Sequence, residues 1–220
     1  FDSNIEPWSL EFLDAKSGFA ASYITNPAQG GAYRWTGAPL GNRWFVNDDA
    51  AGSNNGSSWD DAFTDLQSAL AAAGEGDQIW VAEGVYKPDT LNGSPAATFL
   101  IDKNIRLYGG FAGTETALAQ RGAPADHPTG LSGDLNGDDV ADDFVANRAD
   151  NSRNILRIES NITEETHIDG FTISNGHAQG TTSFGAGIRS VGAPVIRQCV
   201  FTQNYAASSG AGIFLFNAKS

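Results

Sequence analysis

Near its C-terminal end the sequence repeats itself twice over. Gly185-Ala186-Gly187-Ile188 returns as Gly210-Ala211-Gly212-Ile213, 25 residues on. Gly170-Phe171-Thr172-Ile173-Ser174-Asn175-Gly176 returns as Gln198-Cys199-Val200-Phe201-Thr202-Gln203-Asn204, 28 residues on. The difference is confined to one polar segment, seven steps from Ala178 to Gly185 but four from Ala206 to Gly210. A fixed period with its slack in a Gly/Ser/Thr turn marks a stacked array, in which each repeat buries its apolar face on its neighbours.

The rest of the chain after Gly76 fits such an array. Short strand patterns lie between turns at 78–82, 85–86, 98–101, 105–108, 155–158, 167–173, 187–189, 194–201 and 212–216. Each is too short to stand as an independent sheet. Stacked in parallel, each would pair with the coils above and below at ~4.8 Å. The expected fold is therefore all-β, a right-handed parallel β-helix. Ile, Val, Leu and Phe form ladders inside it, and residues such as Arg197, Gln198 and Thr202 face outward or sit in turns.

Upstream, 43–47 reads as a strand and 60–73 as an amphipathic capping helix. Ser57 or Ser58 is its expected N-cap, Asp60 and Asp61 favour its positive end, and Phe63, Leu66, Leu70 and Ala73 share one face. A helix placed there closes the first rung, where an open strand edge invites aggregation. Residues 1–42 carry no repeat and read as an N-terminal cap or an intersubunit arm, with Trp8, Phe12, Tyr33 and Trp35 available for docking. The β-helix proper spans 43–220. A strand so close to Ser220 leads us to expect that its C-terminal end continues in a longer protein or is covered by another molecule. All five tryptophans fall in the first 80 residues, which suggests a bulky plug over one end of a repetitive core.

Composition narrows the partners. The formal net charge is −13, so nucleic acid and anionic lipid are disfavoured and divalent cations attracted. No apolar run approaches the ~20 residues of a membrane span. The single cysteine, Cys199, excludes an internal disulfide and aligns with Phe171, a core slot.

A family resemblance rests on an ordered set of segments. These are Arg43-Trp-Phe-Val-Asn47, Asn55-Gly-Ser-Ser-Trp59, Gly76-Asp-Gln-Ile-Trp-Val-Ala82 and Gly84-Val-Tyr-Lys-Pro88. Leu107-Tyr-Gly-Gly-Phe-Ala-Gly-Thr-Glu-Thr116, Leu131-Ser-Gly-Asp-Leu-Asn-Gly-Asp138, Ala149-Asp-Asn-Ser152 and Ile168-Asp-Gly-Phe-Thr-Ile173 complete it. Over roughly 43–217 the chain resembles the N-terminal half of large secreted bacterial right-handed β-helix proteins of pectin-lyase-like fold, similar to adhesins and polymorphic outer-membrane proteins. The resemblance implies secretion to the cell surface and says little about activity.

The densest chemical cluster is Asp134-Leu-Asn136-Gly-Asp138-Asp139-Val-Ala-Asp142-Asp143. Oxygen donors at alternating positions 134, 136 and 138 match the first half of a calcium loop, and closely spaced carboxylates repel one another without a cation. Asp139 stands where an EF-hand-like loop has glycine, and no Glu occupies the twelfth position. Asp142 or Asp143 would complete the shell. The expected metal ligands are Asp134, Asn136, Asp138 and Asp142, holding structural Ca²⁺.

Lyase chemistry on this fold needs a base beside calcium-bound carboxylates. Arg189, Pro194 and Arg197 come nearest to the familiar Arg-x-Pro-x-x-Arg arrangement but miss its first spacing. Glu159, Glu164, Glu165 and Asp169 are hydrolase candidates by default. His127, His167 and His177 lack metal spacing and read as surface or turn residues. Gly109-Gly110 and Gly185–Gly187 read as tight corners between strands, since no helix follows to bind phosphate. The expectation is a non-enzymatic extracellular structural or adhesin-like module whose partners are surface glycans, matrix or further copies of itself. One alternative is a fibre subunit joined head-to-tail through the N-terminal arm. The other is a polysaccharide lyase or related carbohydrate-active enzyme.

Overall fold

The structure, a computed structural model, describes residues 19–21, 32–34, 41–90, 93–180 and 183–216. The chain divides into two units, Phe1–Gly41 and Asn42–Ser220. In the first, β1 (Phe19–Ala21) pairs antiparallel with β2 (Ala32–Arg34), Phe19 opposite Arg34. The docking roles expected of Trp8, Phe12 and Trp35, and of the Tyr33 side chain, lie outside what is described.

The second unit is mostly β and its sheets are parallel. Its strands are β3 (Arg43–Val46), β4 (Gln78–Ala82), β5 (Gly84–Tyr86), β6 (Phe99–Ile101), β7 (Arg106–Phe111), β8 (Thr129–Ser132), β9 (Leu156–Ile158) and β10 (His167–Asp169). Then come β11 (Phe171–Ser174), β12 (His177–Ala178), β13 (Ile188–Ser190), β14 (Val195–Arg197), β15 (Val200–Thr202), β16 (Tyr205–Ala206) and β17 (Ile213–Leu215). One sheet runs β3-β4-β7-β10-β14, a second β5-β8-β11-β15, and a third β6-β9-β13-β17, with β12-β16 as a small fourth. From β4 onward the chain visits the first, second and third sheets in that order and then returns to the first.

Register follows the sequence repeat. Ile173 sits opposite Phe201 and Ala178 opposite Ala206, each 28 residues apart, whereas Ile188 sits opposite Ile213, 25 apart. Three apolar ladders result. Trp44, Ile79, Leu107, Ile168 and Ile196 run across the first sheet. Tyr86, Leu131, Ile173 and Phe201 cross the second, and Phe99, Leu156, Ile188 and Ile213 the third. Residues of all three belong to one buried cluster. At the last rung Ile196, Cys199, Phe201 and Ile213 are only partly buried, and Val200, Leu215 and Phe216 are exposed.

The other face of the first sheet is apolar too. Phe45, Trp80 and Tyr108 are register neighbours one step along from the inner ladder, so alternation turns them outward. Trp80 stacks on Phe111 at 4.6 Å, Trp59 covers Phe45, and the Arg43 guanidinium lies 4.0 Å from the Trp80 ring centre. Among the described tryptophans, Trp59 and Trp80 therefore line a sheet face rather than plug an end. Trp44 alone faces the inner core, beside Phe63.

The helix is shorter than its periodicity predicts. α1 spans Leu66–Ala72, with Asp65 as N-cap accepting from Ser68 N at 2.8 Å. Residues 60–64 stay outside it, and Phe63 is claimed by the first sheet instead. Phe63 N donates to Phe45 O, Asn47 N donates to Phe63 O, and Phe63 bridges Val46. Asp61 accepts from Ser53 N at 2.7 Å, which closes the preceding loop. Leu66, Ala69 and Leu70 enter the core, and the Lys103 ammonium donates to the terminal carbonyls of Leu70 and Ala73. Gly109 and Gly110 lie within β7, not between strands. Gly110, at φ 84°, accompanies a register shift that lets Ala82 pair with Phe111. Among the described residues no helix is long and apolar enough to cross a membrane.

Candidate metal centre

Between β8 and β9 the chain leaves the sheets for residues 133–155. Its way out and back is fixed by backbone bonds: Gly133 N donates to Ser174 O and Ser152 N to Gly133 O, at 2.8 and 2.9 Å. Asp134 then organises the turn. Its Oδ1 accepts from Gly137 N at 2.6 Å and Asp138 N at 3.2 Å, and its Oδ2 from Asp139 N at 3.2 Å. Gly137 takes φ 78°, which lets three successive N–H groups converge on one carboxylate.

This turn gathers Asp134, Asp138 and Asp139, one carboxylate oxygen from each lying within 4.8 Å of the others. Two of the four expected ligands, Asp134 and Asp138, thus come together, joined by Asp139. Of the other two, Asn136 is fixed through its backbone and Asp142 through its side chain. Asn136 N donates to Asp150 Oδ2 at 3.0 Å, and the Asn136 amide oxygen lies over Gly93. Asp142, at φ 61°, is held by Gln203, whose amide donates to Asp142 Oδ1 at 2.6 Å.

Asp139 is the member that sequence spacing misses. Its side chain is 5% exposed and pairs with the equally enclosed Arg148 at 2.6 Å through Oδ2. Asn151 Nδ2 donates to the same oxygen at 2.8 Å and to Asn175 O at 2.7 Å, which fastens the loop to the end of β11. Arg148 sends its Nε and second amino group to the carbonyls of Asp143 and Val140, and none of its donors reaches Oδ1. Burial, with the Asp134 charge adding to it, raises the Asp139 carboxyl above the usual range against the pull of Asn151 and Arg148. Among the described residues, four buried side-chain polar atoms have no hydrogen-bond partner: Asp139 Oδ1, Asn151 Oδ1, Ser152 Oγ and His177 Nδ1. Three belong to this loop, and the fourth to a residue whose N–H donates to Ser152 O. The partners of Asp139, Arg148 and Asn151, lie nine and twelve residues on, so the sequence around it carries no local signal of its burial.

The remaining candidates are held in local pairs. Asp169 binds Arg121 at 2.7 Å, Glu159 binds Arg157 at 2.9 Å, and Glu164 and Glu165 are exposed. His127 meets Glu83 at 3.2 Å, and His167 is half-buried at the head of β10. His177, expected at the surface, is buried in β12 and stacked on Tyr205 at 4.9 Å, because the β12-β16 pairing lays one ring over the next. Cys199 is half-buried against the core, and burial raises its thiol above the ordinary range. Among the described residues, the loop carboxylates form the one group of three acidic, His or Cys side chains arranged for a metal ion. Comparison with known proteins returns no matching family model, no matching curated protein and no matching solved structure.

Proposed function

We propose that the chain forms a right-handed parallel β-helix and serves as a non-enzymatic structural or adhesin-like element of an extracellular bacterial surface protein. The observation that carries this reading is the shared core. Three parallel sheets, visited in fixed rotation, contribute in-register ladders to one apolar cluster. A coil built this way stiffens with every added rung and presents long outer faces at little sequence cost. Two of the hydrolase candidates support the same reading, since Asp169 is paired with Arg121 and Glu159 with Arg157, which leaves neither carboxylate free for acid–base work.

One measurement on the purified chain tests this. Incubation with a panel of acidic and neutral polysaccharides, followed by absorbance of unsaturated products and reducing-end release, is expected to show no turnover. Turnover of any member refutes the non-enzymatic reading.

A further inference from the structure

We infer that Asp134, Asp138 and Asp139 bind one calcium ion, and that this ion pins the 133–155 loop against the C-terminal end of β11. The acidic cluster is one half of the argument. The other half is the set of oxygens left without partners. Asp139 Oδ2 is taken by Arg148 and Asn151, so Oδ1 is the oxygen this carboxylate has free to offer the cluster. It is sealed from solvent and accepts nothing. Asn151, 1% exposed and bonded to the same carboxylate, also leaves its amide oxygen unpartnered. A buried carboxylate oxygen with no donor, set against two further carboxylates, is unfavourable unless a cation meets it.

The donor chemistry selects the ion. Every group offered is a hard oxygen, which suits calcium or magnesium and disfavours softer metals. Asp134 Oδ1 already accepts two N–H groups, so Asp134 ligates through Oδ2, which accepts one. Asp138 is exposed and leaves both oxygens available. Asp139 contributes Oδ1. Calcium takes roughly six to eight oxygens in flexible geometry, and the open side at Asp138 admits water to complete the shell. Magnesium demands near-octahedral geometry, which three carboxylates on one six-residue turn do not impose. The ion is distinct from the four-ligand set expected from spacing, since Asp139 replaces Asp142 and Asn136.

The test is isothermal titration of the EDTA-treated, dialysed chain with calcium chloride and, separately, magnesium chloride, beside melting curves in each. We expect one calcium per chain, a melting temperature raised by calcium, and a smaller rise with magnesium. Asp138→Ala removes an exposed side chain, so its fold is preserved, and it should weaken calcium binding by about tenfold or more. Asp142→Ala should bind as the unaltered chain does. An unaltered chain that gives neither heat nor a melting shift with calcium overturns the proposal. So does an Asp138→Ala chain that binds undiminished, or an Asp142→Ala chain that loses binding as fully as Asp138→Ala.

Discussion

Removing one side chain from the middle of an inner ladder gives a direct measure of whether the rungs lie on one another. Ile168 is fully buried, between Leu107 on one side and Ile196 on the other. Large-to-small changes at enclosed aliphatic sites cost about 2–5 kcal/mol, rising with the cavity left. Ile168 is enclosed on both sides, so Ile168→Ala should fall in the upper half, about 3.5–5 kcal/mol. Ile196 has a ladder neighbour on one side only and is partly exposed. Ile196→Ala should cost about 1–2 kcal/mol, because less apolar area is lost and the rung can relax outward. Urea unfolding followed by tryptophan fluorescence and circular dichroism measures both, provided the slopes agree among variants. A double-mutant cycle sharpens the result. Leu107→Ala with Ile168→Ala should show coupling of about 0.5 kcal/mol or more, while Leu107→Ala with Ile196→Ala, two rungs apart, should be additive within about 0.5 kcal/mol. Equal costs at Ile168 and Ile196, or coupling that skips a rung, would refute the ladder argument.

Other outcomes follow from particular sites. A Cβ at Gly187 would meet the Gly212 carbonyl oxygen at less than 3.0 Å and crowd Phe201 and Ile173, so Gly187→Ala should lower stability by about 1–3 kcal/mol in the same urea assay. Gly74→Ala meets only the Asp77 carboxylate, at 3.8 Å, and should stay within about 0.5 kcal/mol. His167 and His177 are both held below the ordinary value of 6.5, first by burial, then by Arg106 and Arg197 for His167 and by Arg148 for His177. Protonation therefore favours the unfolded chain. Stability should fall as pH drops through 6.5 and level off below the folded values, and melting curves of a His167→Gln/His177→Gln chain should lose that slope.

The repeat made the register legible to the residue, because two copies of one pattern fix both a period and its slack. Strand pairs at Ile173 and Phe201 and at Ile188 and Ile213 follow from it directly. β8 was missed because Thr129-Gly130-Leu131-Ser132 carries a glycine and no alternation; it becomes a strand by pairing with β5 and β11 on both sides. The helix start was misplaced because Phe63 satisfies helical spacing and sheet bridging equally, and the bonds to Phe45 and Asn47 decide for the sheet. In the loop, alternating oxygen donors picked out Asp134 and Asp138. Asp139 stayed hidden because its partner Arg148 is nine residues away, and nothing local announces an enclosed pair. Asn204 shows the opposite case. Asparagine at a corner reads as structural from its type, and its amide bonds both Gly176 N and Ile173 O.

The corner between β12 and β13 absorbs three extra residues while the pairs on either side keep their places, Ala178 on Ala206 and Phe184 on Ser209. The array thus counts rungs and ignores the length of the excursion between them. Gly180 at that corner has open space around it, at φ 68°. A foreign peptide grafted after Gly180 should accordingly leave every strand pair in register.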